Sequence, residues 1–432
     1  MSRQHKKALI VTYYWPPAGG PGVQRVLNIV EHLPALGWEP IILTVEDPSA
    51  PAKDDSLLKR IPQHCKVYKT RTSEPFDLYK KITGKSKDAV IPKHIASADN
   101  TSFKERFSSW VRANLFIPDA RKGWKRFLIK EGMKVIAAEE PDVILSTSPP
   151  HSLQLGARTL AKRSGLPWVC DLRDPWAEAY WESKMPKTDI SRRRNALLEH
   201  KVLNDATHIT TVGSVIKDLL EPKTGKPISV IYNGYRELDT RPADPGVFEI
   251  LHLGNISALQ YADTLYDALT QLPNKQKEKV KLTFMGDVAN EHKKKIDSIK
   301  NIKVEYLSFL PYEQMAKRAR QASMLFLPKL DSSYSKGLIS AKLFDYLALR
   351  RPIVAITDLG SDIGSILDST ATGKTFLPDE SFEMSHNIIE YIEHWTKNGS
   401  AVMDKNDALR AYSSTENAAL LSDILEKVVK NY

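Results

Sequence analysis

The strongest constraint on folding is an alternation of short apolar runs, glycine-bearing turns and helical periodicity that occurs twice along the chain. Ala8–Tyr13 is apolar, Pro16–Gly22 is a loop, and Val23, Val26, Leu27, Val30 and Leu33 recur at helical spacing before Gly37. Pro40–Thr44 then reads as a second strand. The same series restarts at Phe248–Leu253, which runs into Gly254 and Asn255, and at Val280–Met285, which runs into Gly286 and Asp287. Apolar runs too short for helices, alternating with a 3.6-residue period, predict strands joined by helical crossovers and hence parallel sheets. Two such series predict an α/β protein with two doubly wound domains.

Further elements fit that frame. Asp142–Ser146, Trp168–Leu172, His208–Val212 and Ile228–Ile231 read as strands, and Ser152–Arg163, ended by Gly165, as a helix. Residues 46–100 carry no regular period and predict long loops. The polar, proline-bearing stretch RELDTRPADPGV reads as an interdomain linker. In the second half, Val304–Leu307, Met324–Leu327 and Pro352–Ile356 are strands, and Ser340–Leu349 and Glu416–Val429 are helices. The expected division is residues 1–234, a linker at 235–247, a second domain at 248–410 and a final helical segment at 411–432. A chain of 432 residues with 42% hydrophobic side chains has enough apolar material for two cores.

Composition narrows the function classes. No apolar run approaches the roughly 18 residues that a membrane-spanning helix needs, and the first apolar run is a buried strand rather than a secretory leader. The two cysteines, Cys65 and Cys170, form neither a disulfide framework nor a metal quartet, which points to a reducing, cytoplasmic setting. A net charge of +10 implies an anionic partner. Basic residues from Lys80 to Lys130 are interleaved with Phe103, Phe107, Trp110, Phe116, Trp124 and Phe127. Phe103, Phe107 and Trp110 share one helical face, which packs on its own domain or lies on an anionic membrane surface. No nucleic-acid motif accompanies the charge, so nucleic acid is not an expected partner.

Doubly wound domains bind ligands at the carboxyl ends of their strands, so the residues there are the candidates. After the first strand, Gly19, Gly20 and Gly22 allow close backbone approach and lead into a helix whose free N–H groups attract anions. His151 follows the strand ending at Ser146, and Asp171, Arg173 and Asp174 cluster at the end of Trp168–Leu172. Charges there belong either to a site or to an internal Asp–Arg pair that staples loops. In the second half, Gly337, Leu338, Ile339 and Ser340 enter a helix for which Ser340 is the expected N-cap. Lys342 and Asp345 lie three apart on that helix. They form a surface ion pair, or they supply a cation for phosphate and a carboxylate for ribose hydroxyls.

Several motifs in order shift that balance. YYWPPAGGPGVQRV with LGWEPIILT, VIYNGY before the linker, ILHLGNIS, and AKLFDYLALRRPIVA together resemble retaining GT-B glycosyltransferases of family 4. STSPPHS with DLRDPW resembles a subgroup found among bacterial surface-polysaccharide enzymes. The resemblance implies two Rossmann-like domains facing a central cleft. It implies a nucleotide-sugar donor bound by the second domain, where Gly254, Asn255, Lys342 and Asp345 fall, and a glycan or lipid-linked acceptor bound by the first. It further implies transfer with retention and no metal or other cofactor, diphosphate charge being met by helix ends and cations. The final helix is expected to return to the first domain, and peripheral contact with the inner face of the cytoplasmic membrane is expected. In the family's Glu-x7-Glu pair the second position is Asp345 and the first is Gly337. The basic pair that follows the first donor-domain strand in many members is absent from GNISALQYAD, leaving Lys342 as the candidate cation. The rival readings are a nucleotide-sugar epimerase or hydrolase on the same fold, and a non-catalytic anion-binding or nucleic-acid-binding protein.

Overall fold

The computed structural model describes residues 5–48, 53–73, 103–179, 182, 185–238, 246–308, 310, 312–330, 335–399, 403 and 407–432. The lysine-rich stretch 80–93 and most of the expected linker lie outside the described residues, as do the side chains of Phe103 and Phe107. The chain divides into two compact units. One comprises Met1–Val212, Ile216–Tyr232 and Ala418–Tyr432, and the other Gly213–Val215 and Asn233–Asn417.

The first unit is built on a seven-stranded parallel sheet in the order β3-β2-β1-β4-β5-β6-β7. Its strands are β1 (Lys6–Thr12), β2 (Trp38–Val45), β3 (Lys66–Thr70), β4 (Val143–Ser148), β5 (Trp168–Leu172), β6 (His208–Thr211) and β7 (Ile228–Val230). Successive strand residues face opposite sides of a sheet, and β1 shows why its central run Ala8–Val11 is apolar without alternation. Leu9 and Val11 enter the core under α3 (Lys125–Glu139), α4 (Ser152–Ser164) and α5 (Asp189–Asp205). Ala8 and Ile10 enter a second core beneath α1 (Pro21–Val30). Helices on both faces leave such a strand no polar side.

That second core is completed from the far end of the chain. The terminal helix, α13 (Ser414–Lys430), contributes Leu421, Ile424, Leu425 and Val428 to the same cluster as Val26, Leu27 and Ile42. Trp38 donates its indole N–H to Ser422 Oγ at 3.1 Å, and Lys6 pairs with Glu426.

The second unit carries a six-stranded parallel sheet in the order β11-β10-β8-β12-β14-β15. The strands are β8 (Phe248–Leu253), β10 (Val280–Met285), β11 (Lys303–Leu307), β12 (Met324–Leu327), β14 (Ile353–Ile356) and β15 (Gly373–Phe376). A two-stranded antiparallel ribbon joins β9 (Gln260–Tyr261) to β13 (Lys329–Leu330). One core cluster lies beneath α7 (Asp263–Gln271), α8 (Asn290–Asp297) and α12 (Ser381–Asn398). Three helices of this unit border the candidate site or follow it: α9 (Tyr312–Ala319), α10 (Ala341–Leu349) and α11 (Asp362–Thr370).

Two expectations need correction. The helix read as running to Gly37 stops at Val30, and a separate 3-10 turn, Leu33–Leu36, precedes Gly37 in a left-handed conformation. Pro34 has no N–H to continue the α-helical ladder. The stretch read as irregular loops contains β3, which pairs with β2 from Ile41 with Lys66 to Val45 with Thr70. Its sequence, KVYKT, is that of an exposed sheet edge and lacks the apolar density of the central strands.

Because Leu425 is fully buried between α13 and the sheet, Leu425→Ala is expected to destabilise the first unit by about 2–5 kcal/mol. The expected reading is a lower urea midpoint at an unchanged slope.

Candidate active site

In both sheets the strand order reverses at one place, and the crevice outside the strand ends at such a point is where open α/β sheets bind ligands. The reversal falls between β8 and β12 in the second unit and between β1 and β4 in the first.

In the second unit, β8 ends in a turn at Gly254, whose φ of +82° disfavours any side chain. A Cβ there would also lie 2.8 Å from Lys342 Cε and would displace that side chain from the turn. Lys342, in the first turn of α10, places its Nζ 3.1 Å from His252 Nε2 and 3.4 Å from the carbonyl of Asn255. Asn255 in turn accepts the Asp287 N–H at 2.9 Å. Gly286 packs so closely on this turn that a Cβ would lie 2.6 Å from the Gly254 carbonyl carbon. Three of the candidates, Lys342, Gly254 and Asn255, therefore meet. Burial pulls the Lys342 ammonium down to about 8.

Asp345 is held elsewhere on α10. The Tyr312 hydroxyl donates to Asp345 Oδ1 at 3.0 Å. Burial pushes the carboxyl up to about 6, and the Tyr312 hydrogen bond opposes that shift only in part. The surface Lys342–Asp345 pair that their spacing allows is absent among the ion pairs of the described residues. Ser340 occupies the N-cap position as expected, and its side chain makes no capping hydrogen bond. The first-turn N–H groups of α10 therefore receive nothing from it. Gly337 is buried in a short 3-10 turn, Ser335–Gly337. Ser335 in that turn bonds Asp358, which is paired with Lys329 at 2.6 Å. Leu338 and Ile339 are half-buried between this turn and α10.

In the first unit, Gly20 caps α1 with a φ of +109°, and the helix begins at Pro21, two residues earlier than its periodicity suggests. The Arg173 guanidinium lies against Gly22, so that a Cβ at that position would collide with Nη1. Arg173 is oriented by the carbonyls of Ser148 at 3.0 Å and Pro149 at 2.8 Å. The glycine loop and the β4 and β5 ends are thus one assembly, joined by Arg173 at Gly22. Asp174 has no hydrogen-bond partner among the described residues. Burial raises its carboxyl above the ordinary range, and the charge of Arg173 opposes the rise.

His151 is 94% buried, its relative exposure being 6%. Its ring stacks on Trp176 with centroids 4.8 Å apart and planes at 14°. Nδ1 lies 3.2 Å from Ser148 Oγ, and Nε2 has no partner among the described residues. Burial lowers the imidazole to about 3, with the Pro175 carbonyl opposing, so the ring is neutral. It lines a cleft of about 290 Å3 together with Tyr14, Asp119, Arg121, Trp176 and Asn195.

Asp171 must be withdrawn from the catalytic candidates. It is 2% exposed, and Arg25 grips both its oxygens, Nη2 to Oδ1 at 2.7 Å and Nε to Oδ2 at 3.0 Å. Thr210 donates to Oδ1 at 2.8 Å and Thr147 to Oδ2 at 2.6 Å. These threonines are its cross-strand neighbours on β6 and β4. Burial alone would raise the carboxyl, but Arg25 and the two hydroxyls leave it below the usual carboxylate range. The expected internal Asp–Arg pair exists, with Arg25 rather than Arg173 as the cation. Arg25 was missed by sequence reasoning, although a lone cation within the otherwise apolar period of Val23–Val30 was the available signal.

Comparison with known proteins bears directly on this geometry. Residues 19–236 match the model of Glycosyltransferase Family 4, and residues 248–394 that of Glycosyl transferases group 1. The chain belongs to glycosyltransferase family 4. A relative in Pseudomonas aeruginosa, the probable glycosyltransferase WbjE, is 23% identical over 278 residues, which cover 59% of this chain and 67% of that protein. Among solved structures, Anabaena HepE in complex with UDP-glucose superposes with a TM-score of 0.59 at 14% identity, covering 99% of this chain and 100% of HepE. The lipopolysaccharide outer core galactosyltransferase WaaB gives a TM-score of 0.56 at 13% identity, with coverage of 98% and 99%. The two Rossmann-like units are those of the GT-B fold, and this family 4 member carries its strand-end turns at the corresponding places in each sheet.

Two outcomes test the electrostatic reading. Arg25→Met leaves Asp171 buried without its cation and is expected to cost about 3–5 kcal/mol. The double variant Arg25→Met, Asp171→Leu should recover much of that loss in urea denaturation. Asp345 holds its proton more tightly when folded than unfolded, so its contribution to stability falls as pH rises from the unfolded value of 3.8 to about 6. Asp345→Asn is therefore expected to stabilise the ligand-free protein at pH 7.5 by about 1–2 kcal/mol. This advantage should shrink toward zero near pH 4.

Proposed function

We propose that this glycosyltransferase moves a sugar from a nucleoside-diphosphate sugar to a glycan or lipid-linked acceptor, with retention at the anomeric carbon and without a metal, in the assembly of a cell-surface polysaccharide. The observation that carries the donor assignment is the partly buried Lys342 ammonium. It stands over the Gly254–Asn255 turn with neutral partners, at the point where the second sheet reverses its strand order. A buried cation without a counter-ion is costly, and a diphosphate supplies one. The uncapped start of α10 adds N–H donors of the same polarity. Asp345, held by Tyr312, is the carboxylate for ribose hydroxyls.

On the acceptor side, the first unit offers Arg173 beside the glycine loop, the carboxyl of Asp174, and the neutral imidazole of His151 in its cleft. The acceptor oxygen bonds to the anomeric carbon as the bond to the leaving phosphate breaks. In a same-face reaction the proton passes to that phosphate, so no side-chain base is required. Cations and helix N-termini stabilise the charge that develops there. The likeness to WaaB, a lipopolysaccharide outer core galactosyltransferase, supports a place in surface-glycan assembly. Trp110, 43% exposed, and Leu115, 58% exposed, lie near Arg112 and Lys122 and support contact with an anionic bilayer.

The test is a thermal-shift screen of UDP, GDP, ADP, CMP and their sugar conjugates, with and without EDTA, on the wild type and on Asp345→Ala. A ligand at 100 times its dissociation constant adds about 2.7 kcal/mol to stability. One nucleoside diphosphate is expected to raise the melting temperature, to do so in EDTA, and to lose its effect in the variant. Failure of every nucleotide would remove the donor assignment. Release of free sugar or an epimer without acceptor would replace the transferase by a hydrolase or epimerase.

A further inference from the structure

His252 lies on β8, one residue before its end, and is fully buried. It was not among the sequence candidates, and no step of the proposed transfer uses it. Its Nδ1 is 3.0 Å from the carbonyl of Phe326 on β12, the strand across the switch point. A carbonyl only accepts, so Nδ1 carries the hydrogen. Burial, followed by the charge of Lys342, holds the ring's pKa well below the ordinary histidine value. The imidazole is therefore neutral, and Nε2 presents a bare lone pair to Lys342 Nζ at 3.1 Å.

The surroundings fix this tautomer. The same Phe326 carbonyl accepts the Tyr346 hydroxyl at 2.9 Å, and that hydroxyl accepts the Leu253 N–H at 3.0 Å. Lys342 and Tyr346 are four apart on α10 and so share one face, which docks on the ends of β8 and β12. An ammonium has three donors. His252 Nε2 and the Asn255 carbonyl take two, leaving one for a ligand. A carboxylate at position 252 would also orient Lys342, but it would neutralise the cation and repel an incoming anion. A neutral acceptor orients without doing either.

We infer that His252 is a positioning residue of the donor site, holding the Lys342 ammonium over Gly254 through a neutral acceptor, so that a nucleoside diphosphate meets a cation with no counter-charge beside it. The inference rests on the donor-site reading proposed above.

The experiment is calorimetric titration with UDP, GDP and ADP, and with inorganic pyrophosphate as a base-free probe. It compares the wild type, Lys342→Met, His252→Gln and His252→Asn. Glutamine reaches as far as Nε2 and restores an acceptor for Lys342, whereas asparagine reaches only to Nδ1 and keeps the Phe326 partner alone. Loss of one charge-assisted hydrogen bond predicts that His252→Asn weakens diphosphate and pyrophosphate binding about tenfold. His252→Gln should stay within about threefold of the wild type. Melting temperatures of the ligand-free variants separate this pattern from a folding defect, because a merely structural histidine would make both variants lose affinity in step with stability. Equal affinities for the two variants, or losses that follow their melting temperatures, would overturn the role of His252 while Lys342→Met still abolished binding. No binding by the wild type, or undiminished binding by Lys342→Met, would overturn the donor-site reading and the inference with it.

Discussion

A parallel sheet delivers every strand's carboxyl end to one edge, and this constraint organises both units. Each sheet is covered by helices on its two faces, so the strands are mainly apolar and the few polar side chains they carry, such as Asp171 and His252, lie near the same edge as the turns that follow them. Where the strand order reverses, the two adjacent turns diverge and leave room for a ligand. The Gly254–Asn255 turn stands at one such place, and the glycine loop with the Ser148–His151 turn stands at the other.

The buried charges near these edges are managed in two opposite ways. Asp171 is saturated by a bidentate arginine and two threonine hydroxyls, so α1, β4, β5 and β6 are fixed to one another around it. A fully satisfied network of this kind is rigid and has no capacity left for a ligand. Lys342 and Asp345 are incomplete by comparison. Each is partly desolvated and held by a neutral group, and each has its pKa displaced toward the uncharged form. Strongly perturbed groups in a crevice mark functional positions because their cost to the ligand-free protein needs a compensating use. Asp171 shows that position at a strand's end is not sufficient, since the same residue type there serves to join elements.

Much of the fold was legible because periodicity reports burial directly. The central strands β1, β4, β5, β8, β10 and β12 are short, mostly apolar runs between turn signals, the pattern of buried parallel strands. The edge strand β3 was not legible, because half-exposed KVYKT has the composition of a loop. At the site, sequence order with the family resemblance indicated Lys342, Asp345, Gly254 and Asn255, and the structure brings three of them together. It could not indicate partners separated by long stretches of chain. Arg25 finds Asp171 across 146 positions, and His252 finds Lys342 across 90. Ser340 illustrates a different limit, since a residue type suited to capping occupies the cap position without a capping hydrogen bond from its side chain.

The terminal helix carries a consequence for how the molecule comes into being. Leu421, Leu425 and Val428 cover the same face of the first sheet as Val26 and Leu27, and Ser422 receives the indole N–H of Trp38. Synthesis proceeds from the amino terminus, so this face stays bare while the whole second unit is being made. The first half of the chain to emerge is therefore the last to be finished. During that interval a patch containing Trp38, Ile42 and Leu27 is open to chaperones or to other nascent chains.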